Sequence, residues 1–185
     1  MADDIRTVIK GILSDMRVEL ADEFDRNFER QAFFTEAWQR RKSPVRGNGH
    51  ILVDTGGLRR SIKSRSDDSS ITFYSDEPHA AIHNEGGEIR VTERMKRYFW
   101  ARYKESTGGF GRKKDGGMRN NARNRQLSTE AEFWKLMALM KVGSTVKIPR
   151  RRFLGASPEV EKMCRTIIED NLKEYFSDYL SKKLK

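Results

Sequence analysis

The spacing of apolar residues divides this chain into helical, strand-like and polar stretches. From residue 3 to about 30, Ile5, Ile9, Ile12, Met16, Leu20, Phe24 and Phe28 recur every three or four positions, and Val8 and Leu13 broaden the stripe. That period predicts a long amphipathic helix. Asp3 and Asp4 suit the positive end of its dipole. Gly11 inside the stripe costs about 1 kcal/mol, which packing can offset. Phe33, Phe34, Ala37 and Trp38 suggest a second short helix. At the other end of the chain, Ser157 caps and Pro158 opens a helix. Its stripe comprises Val160, Met163, Cys164, Ile167, Ile168, Leu172, Tyr175, Phe176, Tyr179 and Leu180. It is wide enough to pack on a sheet or on a neighbouring subunit.

The middle of the chain reads as short elements. Residues 41–50 form a polar loop punctuated by proline and glycine. Asp54-Thr55-Gly56-Gly57 predicts a tight turn. Leu58 and Ile62 anchor either one helical turn or an early strand reaching Arg65. Ile71-Thr72-Phe73-Tyr74 is β-branched and aromatic, hence a strand. Asp67-Asp68-Ser69-Ser70 joins it to residues 60–66 as a hairpin. Residues 78–84 suit a short helix ended by Gly86-Gly87.

Beyond that point, a strand at 88–91 leads to a helix opened by Thr92 and running to about Tyr103. Residues 106–128 carry almost no apolar side chain and predict a flexible or partner-ordered loop. Thr129 and Glu132 form a capping box for a helix with Phe133, Leu136, Met137 and Met140. Residues 145–148 return as a strand. Long terminal amphipathic helices around a small, mostly antiparallel sheet give an α+β fold. Residues 1–185 form a single domain, with an insertion at 90–146 and a basic flexible loop at about 104–128.

Composition sharpens this picture. Hydrophobic residues make up 36% of the 185 residues and charged residues 35%, so the core is modest. No apolar run approaches the ~20 residues of a membrane span. The acidic amino terminus lacks the order of a secretory signal, so a soluble intracellular protein is expected. The single cysteine, Cys164, excludes an internal disulfide and a cysteine-based zinc site. On an apolar helical face it reads as a structural thiol.

The net charge of +10 is concentrated. Between Arg90 and Arg125 twelve lysines and arginines face three acids, a local +9. Such a patch attracts phosphate polymers or acidic protein surfaces. Arg112, Lys113, Lys114, Arg119, Arg123 and Arg125 are the candidate contacts. Arg97, Tyr98, Phe99, Trp100, Arg102 and Tyr103 interleave cations with rings, as single-strand binders do, although aromatics on a helix also serve a core or a subunit interface.

Catalytic chemistry finds little support. His79 and His83, four apart, would share a helical face near Glu77 and Glu85, but two imidazoles make an incomplete metal site. His83 and Asn84 read better as side chains that cap backbone at a turn. The glycine pairs fit neither phosphate-binding loop pattern, and no nucleophile elbow occurs. No enzyme activity and no cofactor are expected.

Three blocks in sequence carry a family resemblance. They are Thr55-Gly56-Gly57-Leu58-Arg59-Arg60-Ser61-Ile62, then His83-Asn84-Glu85-Gly86-Gly87, then Pro149-Arg150-Arg151-Arg152-Phe153-Leu154-Gly155. Together they resemble the phage virion morphogenesis (tail-completion) family of tailed bacteriophages. The resemblance places fold-defining positions at Thr55, Gly56, Leu58, Ser61, Ile62, His83, Asn84, Gly86, Gly87, Pro149, Phe153, Leu154 and Gly155. The family arginine falls on Arg151 or Arg152, with Arg152 taken as the match. It implies a structural protein of phage or prophage assembly at the head–tail junction, put together in the bacterial cytoplasm. A homo-oligomeric ring, a hexamer, is expected, with tail tube and head connector proteins as neighbours and non-specific DNA contact in the lumen. The alternative is a nucleic-acid-binding protein that uses the basic 90–125 segment.

Overall fold

The computed structural model describes residues 2–45 and 49–183, with side chains from 5 to 181. In chain order the elements are α1 (Ala2–Arg30), β1 (Ala32–Phe33), β2 (Glu36–Ala37), α2 (Gly57–Arg60), β3 (Ile62–Ser66) and β4 (Ile71–Ser75). They continue with α3 (Ala80–Glu85), β5 (Gly87–Arg90), α4 (Glu93–Gly108), α5 (Ala122–Leu139), β6 (Thr145–Ile148) and α6 (Pro158–Lys183). The fold is α+β. The expected single sheet is instead three separate two-stranded antiparallel ladders, β1–β2, β3–β4 and β5–β6. The expected role of Asp3 and Asp4 at the helix start, and positions 46–48 of the polar loop, lie outside the described residues.

The chain divides into two compact units. The first comprises residues 1–39, 50–85 and 150–185. In it α1 and α6 pack along each other, and Asp15 accepts a hydrogen bond from Asn171 at 2.9 Å. Leu20, Phe24 and Phe33 form one buried cluster with Phe73, Val160, Met163 and half-buried Cys164 against it. Phe28, Trp38, Ile51, Leu58, Ala80 and Phe153 form another. Ile62 and Leu154 touch both clusters. The β3–β4 hairpin turns at Asp67, whose carboxylate accepts from the Ser69 and Ser70 amides and both hydroxyls. Those bonds, the Ser70 hydroxyl first, hold the Asp67 carboxyl down to about 2. Ser157 caps α6, accepting from Val160 N–H at 3.3 Å.

The second short helix expected through Phe33 and Trp38 is absent. Gln31 (φ 57) and Phe34 (φ 52) adopt left-handed backbone, which no helix continues through. They turn the chain into the two-residue ladder β1–β2. The burial of Ala32, Phe33 and Trp38 outweighs the helical spacing of the same residues.

The second unit comprises residues 40–49 and 86–149, and the insertion expected at 90–146 falls within it. Antiparallel β5 and β6 match in register from Gly87↔Ile148 to Arg90↔Thr145. Thr92 caps α4, accepting from Met95 N–H at 3.2 Å. α4 and α5 pack through Phe99, Trp134 and Ala138, with the Phe99 and Trp134 rings stacked at 5.9 Å. The segment expected to be flexible at 104–128 is helical at both ends, and residues 109–121 between them form a non-helical connection. α4 extends to Gly108 and α5 begins at Ala122, capped by the Asn121 side chain. Thr129, expected as a cap, lies inside α5 and its hydroxyl donates to the Arg125 carbonyl. Polar composition hid these turns because arginine, glutamine and glutamate are good helix formers without being apolar.

Candidate functional site

The second and third sequence blocks meet through one side chain. The Asn84 Oδ1 accepts from the Phe153 and Leu154 amides at 2.9 and 3.1 Å, and its Nδ2 donates to the Leu154 carbonyl at 3.1 Å. One residue back, the His83 carbonyl accepts from Arg151 N–H at 2.8 Å. A primary amide is the only neutral side-chain group that presents an acceptor and two donors in one plane. It therefore satisfies both polarities of a non-repetitive backbone strand, which buried main chain requires.

Phe153 is held by this clamp at 1% exposure and packs on Phe28 at 5.2 Å. Its carbonyl accepts from Asn27 Nδ2 at 3.3 Å, while Asn27 Oδ1 accepts from Phe34 N–H at 2.9 Å. Asn27 is fully buried. The sequence carries one signal for it, a lone amide beside the apolar stripe next to Phe28. Arg151, buried, donates to the Gln39 carbonyl at 3.0 Å. Arg152 lies over the Phe33 ring at 4.5 Å and donates to the Ala156 carbonyl, while its own carbonyl accepts from Trp38 Nε1 at 2.6 Å. Gly155 has φ 130, and a Cβ there would stand 2.8 Å from the Arg152 guanidinium.

The first block supports the same core. Gly56 adopts φ 76, which starts α2 at a backbone conformation that favours glycine. Thr55 Oγ1 accepts from Gly57 N–H at 3.4 Å. Leu58 is buried against Phe153 and its cluster. The Ser61 hydroxyl donates to the Leu58 carbonyl at 2.7 Å and lies 2.6 Å from Ser75 Oγ. Beside it, Arg59 pairs with Asp25 and Glu29 of α1, and its hydrogen bonds hold the Asp25 carboxyl below the usual range. Gly86 (φ 73) ends α3, followed by Gly87 at φ 149. Pro149 is half-buried at the end of the second unit.

The chemistry of this cluster is that of a structural clasp. Among the described residues no three His, Cys, Asp or Glu side chains are grouped to hold a metal ion. The His79 and His83 rings meet edge to face at 5.7 Å, and His79 lies 3.6 Å from Glu77. His83 is half-buried with Nδ1 unpartnered, and burial, then His79 and Arg151, lower its pKa. It is therefore a neutral ring near neutral pH.

The six basic candidates lie in the second unit, all exposed. Around them residues 109–121 fold on Asn124. Its Oδ1 accepts from Gly111 N–H at 2.9 Å, and its Nδ2 donates to the Gly111 and Arg119 carbonyls at 2.9 and 2.7 Å. Lys113 N–H donates to the Gly117 carbonyl at 2.7 Å, closing a tight turn beneath Lys113 and Lys114. Arg112 and Arg119 are tied to backbone carbonyls, and Arg125 to Asn120. Among the described residues none of the six is paired with a carboxylate.

The arrangement is thus a buried clasp in one unit and an uncompensated cationic turn in the other. A family model described as the phage virion morphogenesis family matches residues 6–173. The chain belongs to that family. No curated protein and no solved structure matches it. Its role lies in phage virion assembly, and the matched span covers both the clasp and the cationic turn of this virion morphogenesis protein. Among the described residues no helix is long and apolar enough to cross a membrane.

Proposed function

We propose that this protein completes the phage tail at the head–tail junction, as a neck or tail-terminator component, by closing into a homo-oligomeric ring, a hexamer. It performs no catalysis and needs no cofactor. Its neighbours are tail tube and head connector proteins. The observation that carries this reading is family membership over a span that includes every block of the clasp. A rigid clasp suits a building block whose task is to hold shape under load rather than to turn over a substrate. Charge supports it as well. The cationic turn at 112–125 presents unpaired lysines and arginines that suit the phosphates of DNA passing through a lumen without reading bases.

A second reading, a nucleic-acid-binding protein, is favoured by one feature of the same unit. Tyr98 and Trp100 are 54% and 37% exposed on α4, and each stands one turn from a cation, Arg94 and Lys96 respectively, so each offers a ring on which a base can stack. Sedimentation of the purified chain across concentration, with and without nuclease, separates the two. A discrete multimer that survives nuclease supports the ring. A monomer that carries nucleic acid until nuclease removes it supports the binding protein.

A further inference from the structure

The apolar face of the α1–α6 layer continues past the place where the β3–β4 ladder stops covering it. An open groove of about 420 Å³ runs beside β4, lined by Leu13, Met16 and Leu20, by Ile71 and Phe73, and by Cys164. One turn beyond Leu13 stands Ile9, 40% exposed, and one and two turns beyond Cys164 stand Ile168 and Leu172, at 38% and 37%. Spacing of four keeps these side chains on the faces that line the groove. Thr7, Val8 and Gly11 lie against Asn171 and Tyr175, so the two bare stretches belong to the same end of the helix pair. An apolar stripe of this extent left to water marks an interaction surface.

Beside the groove is an open strand edge. Among the described residues β4 pairs only with β3. The Asp67 N–H bond to the Ser70 carbonyl sets the phase of the ladder. From there, Arg65↔Thr72 and Lys63↔Tyr74 are the pairs that exchange bonds. The amides and carbonyls of Ile71, Phe73 and Ser75 therefore point outward along the groove. A two-stranded hairpin is marginal by itself, and a third strand is its usual remedy.

The same chain carries a strand suited to that edge. β5 is exposed at all four positions and, among the described residues, pairs only with β6. Ile89 sits opposite Val146 and Gly87 opposite Ile148, so the β5–β6 ladder has an apolar face of Ile89, Val146 and Ile148. Charge selects the pairing. The unit that carries β5 holds nineteen lysines and arginines against six acids, +13, while the unit that carries β4 holds eighteen against twenty-one, −3. A β5-to-β4 contact sets +13 against a nearly neutral, slightly acidic unit, whereas a β5-to-β5 contact sets +13 against +13.

We propose that β5 of a second copy of this chain adds to the free edge of β4 and lays Ile89 over the α1–α6 groove. This rests on the ring reading and supplies its contact. The joint is heterologous, so each copy offers one edge and receives another, which is what propagates a ring.

The test uses the full chain with Ile89→Cys and the native Cys164, treated with a short bis-maleimide at assembling concentration. Cross-linked multimers on a denaturing gel, lost on Cys164→Ser, are expected. In the unaltered chain, hydrogen exchange at residues 71–75 should slow on assembly. Ile89→Lys should raise the half-assembly concentration by about tenfold or more. Multimers with neither cross-link nor slowed exchange would overturn this contact and leave the ring standing on another surface. Cross-links confined to single chains, or slowed exchange only when another tail protein is added, would overturn it too. A chain that stays monomeric at every concentration would overturn both readings.

Discussion

The two units solve the problem of a small core in different ways. The first closes its loops with side-chain amides, one fully buried and one half-buried. Asn27 and Asn84 bind the backbone around Phe153, and that ring packs on Phe28 in the buried cluster. The second keeps one stacked pair, Phe99 on Trp134, between two helices, and folds its long connection around a single amide, Asn124. The first is nearly neutral and the second strongly cationic. Shape and charge are thus assigned to separate parts of one chain. Damage to the clasp should cost stability, and damage to the cationic turn should cost interactions and leave folding almost unchanged.

The largest expected effect is Phe153→Ala, which removes a fully buried ring and should destabilise the first unit by about 3–5 kcal/mol in urea denaturation. Asn84→Ala should follow at about 1–3 kcal/mol, because it strands two half-buried amides and a carbonyl. If Asn84→Ala is silent, the clasp is not what holds the first unit. Asn124→Ala is the counterpart in the second unit. It should cost about 1–3 kcal/mol there, seen as faster hydrogen exchange at residues 111–119 with the first unit's protection unchanged.

A pH titration sharpens the contrast further. The folded pKa of His83 is lowered, so the unfolded chain binds more protons as acidity rises. The stability from its neutral burial is complete above the ordinary histidine value of 6.5 and is lost as pH falls below it toward the folded value. His83→Gln should flatten the fall of stability as pH drops below 6.5. The smallest effect on folding belongs to the triple change Arg112→Ser, Lys113→Ser and Lys114→Ser. It should alter stability by less than about 0.5 kcal/mol, yet lower the salt slope of polyanion binding in a filter or anisotropy assay.

Much of this was legible in the residues themselves. The terminal helices, the β3–β4 hairpin, the β6 strand and the caps Thr92 and Ser157 follow from periodicity and local chemistry, which act over a few residues. What escaped depends on distance. Gln31 and Phe34 turn the chain because Phe33 and Trp38 find burial on the core, a long-range gain that local spacing cannot register. The role of Asn27 is not visible locally because its partners, the Phe153 carbonyl and the Phe34 amide, lie elsewhere in the chain. The helical ends of 104–128 were hidden by charge, since helix propensity and hydrophobicity are separate properties.

The clasp has one more consequence, for how such a protein can change over time. Asn84 and Arg151 stand just outside the two ends of the segment 86–149, and their bonds hold those ends together within the first unit. A tether closed at its base makes whatever lies beyond it interchangeable. Lengthening the closed segment costs only about 0.6 kcal/mol per doubling. The part of the second unit beyond the β5–β6 ladder can therefore be rewritten, enlarged or exchanged while the frame that receives it stays folded. That would let one assembly platform meet a succession of different neighbours by substituting its cassette.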